Sequence, residues 1–207
     1  MRTGLTRTIG VLGNGASSFR FWESHTFTSV MMQSLITEAA KHGYHITLLT
    51  GLEQSQGAED ILPDVGMVDG LLVLNKDLSG NPYLPAFLST LQKPVTYVLD
   101  YPSRSVNNAF APDDEQGAFL ATQMLVDEGH KRIAFARKDY FREIFDRREK
   151  GYTKALSLLL ENSIPPTSIN IDKENLESIT ENSVTAVICA NNHIADHIIA
   201  WADMHDV

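Results

Sequence analysis

A single cysteine, Cys189, occurs in the 207 residues, so neither an intramolecular disulfide nor a thiolate-rich metal site is open to this chain. It lies in the apolar run Val187-Ile188-Cys189-Ala190, where a thiol packs as a small hydrophobe. Long hydrophobic runs are also missing: no stretch approaches the roughly 18 apolar residues that span a bilayer. The opening Met1-Arg2-Thr3-Gly4-Leu5-Thr6-Arg7 is polar where a signal peptide would carry its apolar core. A cytoplasmic location is the expectation. Basic charge is scarce, 17 Lys and Arg against 26 Asp and Glu, and the resulting formal charge of −9 repels a polyanion.

Catalytic and cofactor signatures are wanting too, and no enzyme activity is expected. There is no Gly-x-Ser-x-Gly elbow, and Cys189 has no catalytic setting. Gly13-Asn14-Gly15 follows the first apolar run, but the third glycine of a dinucleotide fingerprint is replaced by Ser18. The second run ends Leu48-Leu49-Thr50-Gly51 without the acid that would hold a ribose, so no nucleotide cofactor is expected. His193 and His197 share a helix face at i, i+4, yet the glutamate of a zinc-protease motif and a third ligand are both missing; they read as surface histidines, and no metal is expected. No internal repeat or low-complexity tract occurs.

What is present is a regular alternation, and 43% hydrophobic residues suffice to fill the core of one large domain or two small lobes. Four apolar runs in the first half, Thr8–Leu12, Tyr44–Leu49, Val68–Leu74 and Val95–Leu99, read as buried parallel strands. Between the first two, Met31, Leu35 and Ala39 recur at i, i+4 with Met32 and Ile36 alongside, and Gly43 stands where a helix ends. A second helix is expected to open at Asn81-Pro82, carry Phe87 and Leu91, and stop before Pro94. From Tyr101 to Pro112 the texture turns to Pro, Ser, Asn and Arg, which places a lobe boundary at 108/109. Beyond it Asp113 and Gln116 form a capping-box-like start to a helix bearing Ala118, Ala121 and Leu125, and Gly129 ends it before a strand over Arg132–Ala136. A helix from about Arg147 bears Tyr152, Ala155, Leu156 and Leu159; strands over Ser168–Ile171 and Val184–Cys189 follow, then a last helix from about Asn192. The fold class is α/β, two Rossmann-like lobes spanning 1–108 and 109–207 with parallel sheets. Ligands of such sheets bind beyond the carboxyl ends of the strands, here in the cleft between lobes.

Several segments, in order and at matching separations, resemble the regulatory core of the lactose-repressor family, which shares the type I periplasmic-binding-protein-like fold. These are Asp113-Asp114-Glu115-Gln116-Gly117-Ala118, Gly129-His130-Lys131-Arg132-Ile133, Arg148-Glu149-Lys150-Gly151-Tyr152 and Ala186 to Asn192. Gly43-Tyr44, Val68-Asp69-Gly70 and Pro94-Val95 add support, and Arg2 to Val11 resembles the join between the family's hinge helix and its first core strand. The resemblance implies an effector-binding core of a transcriptional regulator whose DNA-binding headpiece would lie upstream. It further implies a homodimer, a sugar-like metabolite as effector, and allosteric coupling to operator DNA through that headpiece. The alternative is a transport-type solute-binding protein of the same fold. Three departures stand out. The loop Gly13 to Trp22 is longer than the family's turn; Asn191-Asn192 replaces an Asn-Asp pair; and the sequence stops at Val207, where the family continues through another strand, leaving the second lobe incomplete.

The resemblance nominates ligand-binding residues, each with a plainer alternative. Arg148 matches the arginine that grips effector oxygens, its fork suited to bidentate contact; otherwise it is a solvated arginine among Arg142, Arg147 and Lys150. Arg142, six residues earlier, stands where relatives place a second cation, or else lies on the surface. Asn191 at a strand end can donate to and accept from a hydroxyl, or simply cap the last helix. Asp113 and Gln116 are explained by capping, although Gln116 falls at a ligand-contact position of the family. Phe27 matches an aromatic that covers one ligand face, or is a core residue of the first helix.

Overall fold

The computed structural model describes residues 4–12, 27–49, 65–74, 84–99, 101, 108–139, 142–160, 164–172, 176–181 and 183–205. The chain divides into two compact units, Met1–Pro112 and Asp113–Val207. The class expected from the sequence is the one observed, α/β with parallel sheets in two sets.

In the first unit, strands β1 (Thr8–Leu12), β2 (His45–Leu49), β3 (Gly70–Leu74), β4 (Val95–Val98) and β5 (Ala109–Phe110) form one sheet in the order β2-β1-β3-β4-β5. Every pairing is parallel, with Ile9 opposite both Ile46 and Gly70. The two-residue β5 lies in a stretch that reads as irregular; its hydrogen bonds to β4 carry the first unit on to Pro112. Helix α1 (Phe27–Lys41) buries Met32 against Val11 and Leu74 and leaves Ile36 exposed. It stops where expected, at Gly43 with a φ of +72°, a conformation glycine adopts without the steric cost of a Cβ. Helix α2 (Leu84–Thr90) seats Phe87 and Leu88 on the opposite cluster around Leu12, Leu49, Val68 and Leu71. The expected cap at Asn81-Pro82 lies outside the described residues.

Two polar clamps brace this unit. The Asp69 carboxylate accepts from the Thr6 amide (2.8 Å), the Thr6 hydroxyl (2.9 Å) and the Arg7 amide (2.7 Å), while Arg7 holds a φ of +54°. Chiefly the Thr6 amide, with its hydroxyl and the Arg7 amide, keeps the Asp69 pKa below the usual carboxylate range. The Lys93 ammonium donates to the carbonyls of Val65 (2.7 Å), Gly66 (3.3 Å) and Val68.

In the second unit, β6 (Ile133–Arg137) lies between β7 (Thr167–Asn170) and β8 (Ala186–Cys189), both parallel to it. Helix α3 (Asp114–Asp127) precedes β6, and α4 (Arg142–Leu159), α5 (Glu177–Glu181) and α6 (Asn192–His205) complete the unit. The core is Phe135, Phe145, Tyr152, Leu156, Ile169 and Ile194 with their neighbours. Helix α4 starts five residues before the expected Arg147, because its apolar stripe reaches back to Phe145, one full heptad ahead of Tyr152. On α3 the inward position next to Ala118 is Thr122, not Ala121, which is exposed; the Thr122 hydroxyl is satisfied by the Ala118 carbonyl at 2.8 Å. Cys189 is half-buried rather than buried, and its burial pushes the thiol up to about 11.

Helices α3 and α4 cross closely at Gly151. A Cβ there would stand 2.0 Å from the Glu115 carbonyl oxygen, so only glycine admits the approach. Lys150 and Lys154 then reach Glu115 at 2.7 and 3.2 Å, and these contacts, Lys150 first, lower the Glu115 pKa.

Candidate functional site

The carboxyl ends of β6, β7 and β8 meet the starts of α3, α4 and α6, and most of the nominated residues of the second unit gather there. Each helix start has a local cause. Asp113 caps α3, its Oδ1 accepting from the Gln116 amide at 3.0 Å. Asn191, the residue after the β8 end, caps α6 in the same way, its Oδ1 accepting from the Ile194 amide at 3.0 Å. Both plainer readings are therefore realised in the structure, and neither conflicts with contact to a ligand.

Arg148 joins these helix starts. Its Nε donates to Asp114 Oδ1 at 2.7 Å, its Nη2 lies 2.6 Å from the same oxygen, and its Nη1 donates to the Ala190 carbonyl. It is thus not a freely solvated arginine; it ties the first residue of α3 to the turn between β8 and α6. The Asp114 side chain is 5% exposed and the Arg148 side chain 32% exposed, so the carboxylate is the inner member and the guanidinium faces the open side. A buried carboxylate needs such a partner, because its desolvation is otherwise uncompensated.

Beside this junction the end of β6 places Arg137 against Asp146 (2.7 Å) and Glu149 of α4. Burial works against the Arg137 charge, but the two carboxylates outweigh it and raise the pKa further. Next along the chain, Lys138 pairs with Asp172 at 3.0 Å, and Asp139 accepts from the Asn170 side-chain amide at 2.8 Å.

Of the other nominees, Gln116 is exposed within the first turn of α3. Arg142 is the first residue of α4 and Phe27 the first of α1, but the side chains of both lie outside the described residues. Phe27 belongs to the first unit. His193 and His197 are exposed on α6, and among the described residues no group of three or more His, Cys, Asp or Glu is placed to hold a metal. Among the described residues no helix is long and apolar enough to cross a membrane.

Asp114 is the residue that sequence reasoning missed. The signal was the doublet Asp113-Asp114: one carboxylate suffices for the cap, and the second, one position into the helix, turns inward.

No protein-family model matches the chain. It is 25% identical over 202 residues to the HTH-type transcriptional repressor PurR of Vibrio campbellii, covering 92% of this chain and 58% of that protein. It is 30% identical over 166 residues to catabolite control protein A of Priestia megaterium, covering 77% of this chain and 46% of that protein. Among solved structures, the transcription regulator CcpA of Lactococcus lactis superposes with a TM-score of 0.72 at 19% identity, over 97% of this chain and 73% of that one. A LacI-family sugar-binding transcriptional regulator from Escherichia coli, solved with phosphate, gives 0.69 at 17% identity, over 98% and 74%. The regulator CelR in complex with cellobiose gives 0.67 at 22% identity, over 89% and 59%. The chain therefore spans about half the length of the curated relatives it matches. The PurR relatives and the solved neighbours are named as transcriptional regulators, and the fold is the one the sequence resemblance implies.

Proposed function

We propose that this chain, a relative of the LacI-family regulators, is the effector-binding core of a transcriptional regulator acting in the cytoplasm. The observation that carries the reading is similarity along nearly the whole chain to named transcriptional repressors. It is supported by a polar junction, Asp114-Arg148-Ala190, at the sheet edge where α/β folds take up ligands. In this reading a small metabolite, sugar-like or of nucleobase type, binds at the carboxyl ends of the strands. Arg148, Asn191, Asp113 and Gln116 contribute from the second unit, and Arg142 and Phe27 complete the set. The regulator works as a homodimer, and effector and operator affinities are coupled reciprocally through a DNA-binding segment outside the 207 residues.

A thermal-shift screen against sugars, sugar phosphates and nucleobases tests the proposal, since a ligand that binds only the folded state raises its stability by mass action. The variant of choice is Arg148→Lys, which leaves a cation for Asp114 but removes the fork. A stabilising ligand whose effect is lost in Arg148→Lys and in Asn191→Ala supports the effector reading. Stabilisation insensitive to both variants, or none from any compound, defeats it.

A further inference from the structure

Resting on the effector reading above, we infer that the site in the second unit selects an uncharged polar ligand over its phosphorylated counterpart. The argument is one of charge already spent. Arg148 uses one hydrogen from each of its three nitrogens on Asp114 and the Ala190 carbonyl, and its charge is neutralised by a carboxylate that is itself buried. A phosphate drawing the guanidinium away would part Asp114, in a poorly solvated place, from this cation. An uncharged hydroxyl or ring carbonyl makes no such demand. It can accept from the second hydrogen on either terminal nitrogen while the ion pair stays intact.

Two neighbouring cations among the described residues are committed in the same way. Arg137 is held between Asp146 and Glu149, and Lys138 is paired with Asp172. With Asp139 added, carboxylates outnumber cations among the described residues at this sheet edge, and what those residues together offer an approaching dianion is net repulsion. Helix N-termini are the other common phosphate receptors, and here two of them already hold an oxygen acceptor: Asp113 on α3 and Asn191 on α6. The Asp113 carboxylate also cancels the positive end of its helix.

The test is isothermal titration of the whole chain with matched pairs: glucose and glucose 6-phosphate, ribose and ribose 5-phosphate, guanosine and its 5′-monophosphate. The expected result is that at least one uncharged member binds, and binds roughly tenfold or more tighter than its ester, with little dependence on salt. Asp114→Asn frees the Arg148 charge and is expected to shift the preference toward the ester. Asp146→Asn does the same for Arg137 without altering a buried group, since the Asp146 side chain is 64% exposed. It serves if Asp114→Asn fails to fold. An ester that binds as tightly as its parent or more so, with affinity falling as salt rises, overturns the inference while leaving the effector reading standing; loss of that ester's binding in Arg142→Ala would name the cation responsible. An unchanged ester-to-parent ratio in both aspartate variants also overturns it. Silence across the whole panel overturns both readings together.

Discussion

Gly151, Arg148 and Asp114 of the second unit make commitments that substitution should expose. Gly151 is fixed by the Glu115 carbonyl 2.0 Å from where its Cβ would stand. Because that neighbour is backbone, Gly151→Ala must push α3 and α4 apart, and a loss of about 1–3 kcal/mol is expected, read as a lowered urea midpoint at unchanged slope. Arg148→Ala leaves Asp114 buried without its cation and should cost on the order of 3 kcal/mol, less whatever solvent recovers through the partly exposed site. Replacing Asp114 by alanine in the same chain should restore part of that loss, and a double-mutant cycle measures how much. In the first unit, Asp69 predicts a pH dependence. Its folded pKa is depressed, so its contribution is present above the unfolded carboxylate pKa and fades as pH falls through the lower folded value. The stability difference between the wild type and Asp69→Asn should therefore be flat near neutrality and close in acid. A gap that persists at low pH would locate the effect of Asp69 elsewhere than in its charge.

Among the elements, Tyr152 links a helix to two strands. From α4 its hydroxyl donates to the Ile133 carbonyl of β6 at 2.7 Å and accepts from the Thr167 amide of β7 at 3.0 Å, while the ring stacks on Phe135 at 5.6 Å. Tyr152→Phe keeps the ring but leaves both backbone groups buried without that partner, and a cost of about 1–3 kcal/mol is expected, with faster amide exchange at Thr167. A strand covered on both faces is a continuous apolar run, as in β3 and β6, whereas β2, largely exposed, showed through Ile46, Leu48 and Leu49, and β7 through Ile169 and Ile171 alone; seven of the eight described strands were legible in these ways. The eighth, Ala109–Phe110, escaped notice because two residues carry no period and its partners are backbone atoms of β4. The start of α4 was misplaced for a different reason: Arg147, Arg148, Glu149 and Lys150 look like a solvated first turn, whereas Phe145 before them is the true beginning of the stripe. Around the candidate site, the Asp113 cap was legible as a capping-box-like pattern, while Arg148 and Asn191 were nominated through family resemblance. The Asp114 pairing was not legible, because a contact 34 residues apart leaves no local trace.

For the whole molecule, the two units have separate cores, one around Leu12 and Leu71 with its companion at Val11 and Met32, the other around Phe135 and Tyr152. Trp201 packs against the second of these and stacks on His205. Denaturant unfolding followed by Trp201 fluorescence, in a Trp22→Phe background, should therefore report the second unit alone and diverge from the curve given by far-ultraviolet circular dichroism; coincident curves would show the units melting as one. The formal charge of −9 leads to a further expectation, that the 207 residues alone do not retain duplex DNA in a mobility-shift assay at about 0.15 M salt. Both sheets also share an arrangement with a consequence for biosynthesis. Strands β1 and β6 are the first made in their units, and each ends up paired on both edges, by β2 and β3 in one case and by β7 and β8 in the other. On the ribosome each central strand emerges before either neighbour, and β1 cannot be closed on both sides until residue 74 has left the exit tunnel. Through that interval an apolar strand with two open edges is exposed to other nascent chains, which makes the yield of folded protein depend on chaperone supply and on elongation rate rather than on final stability.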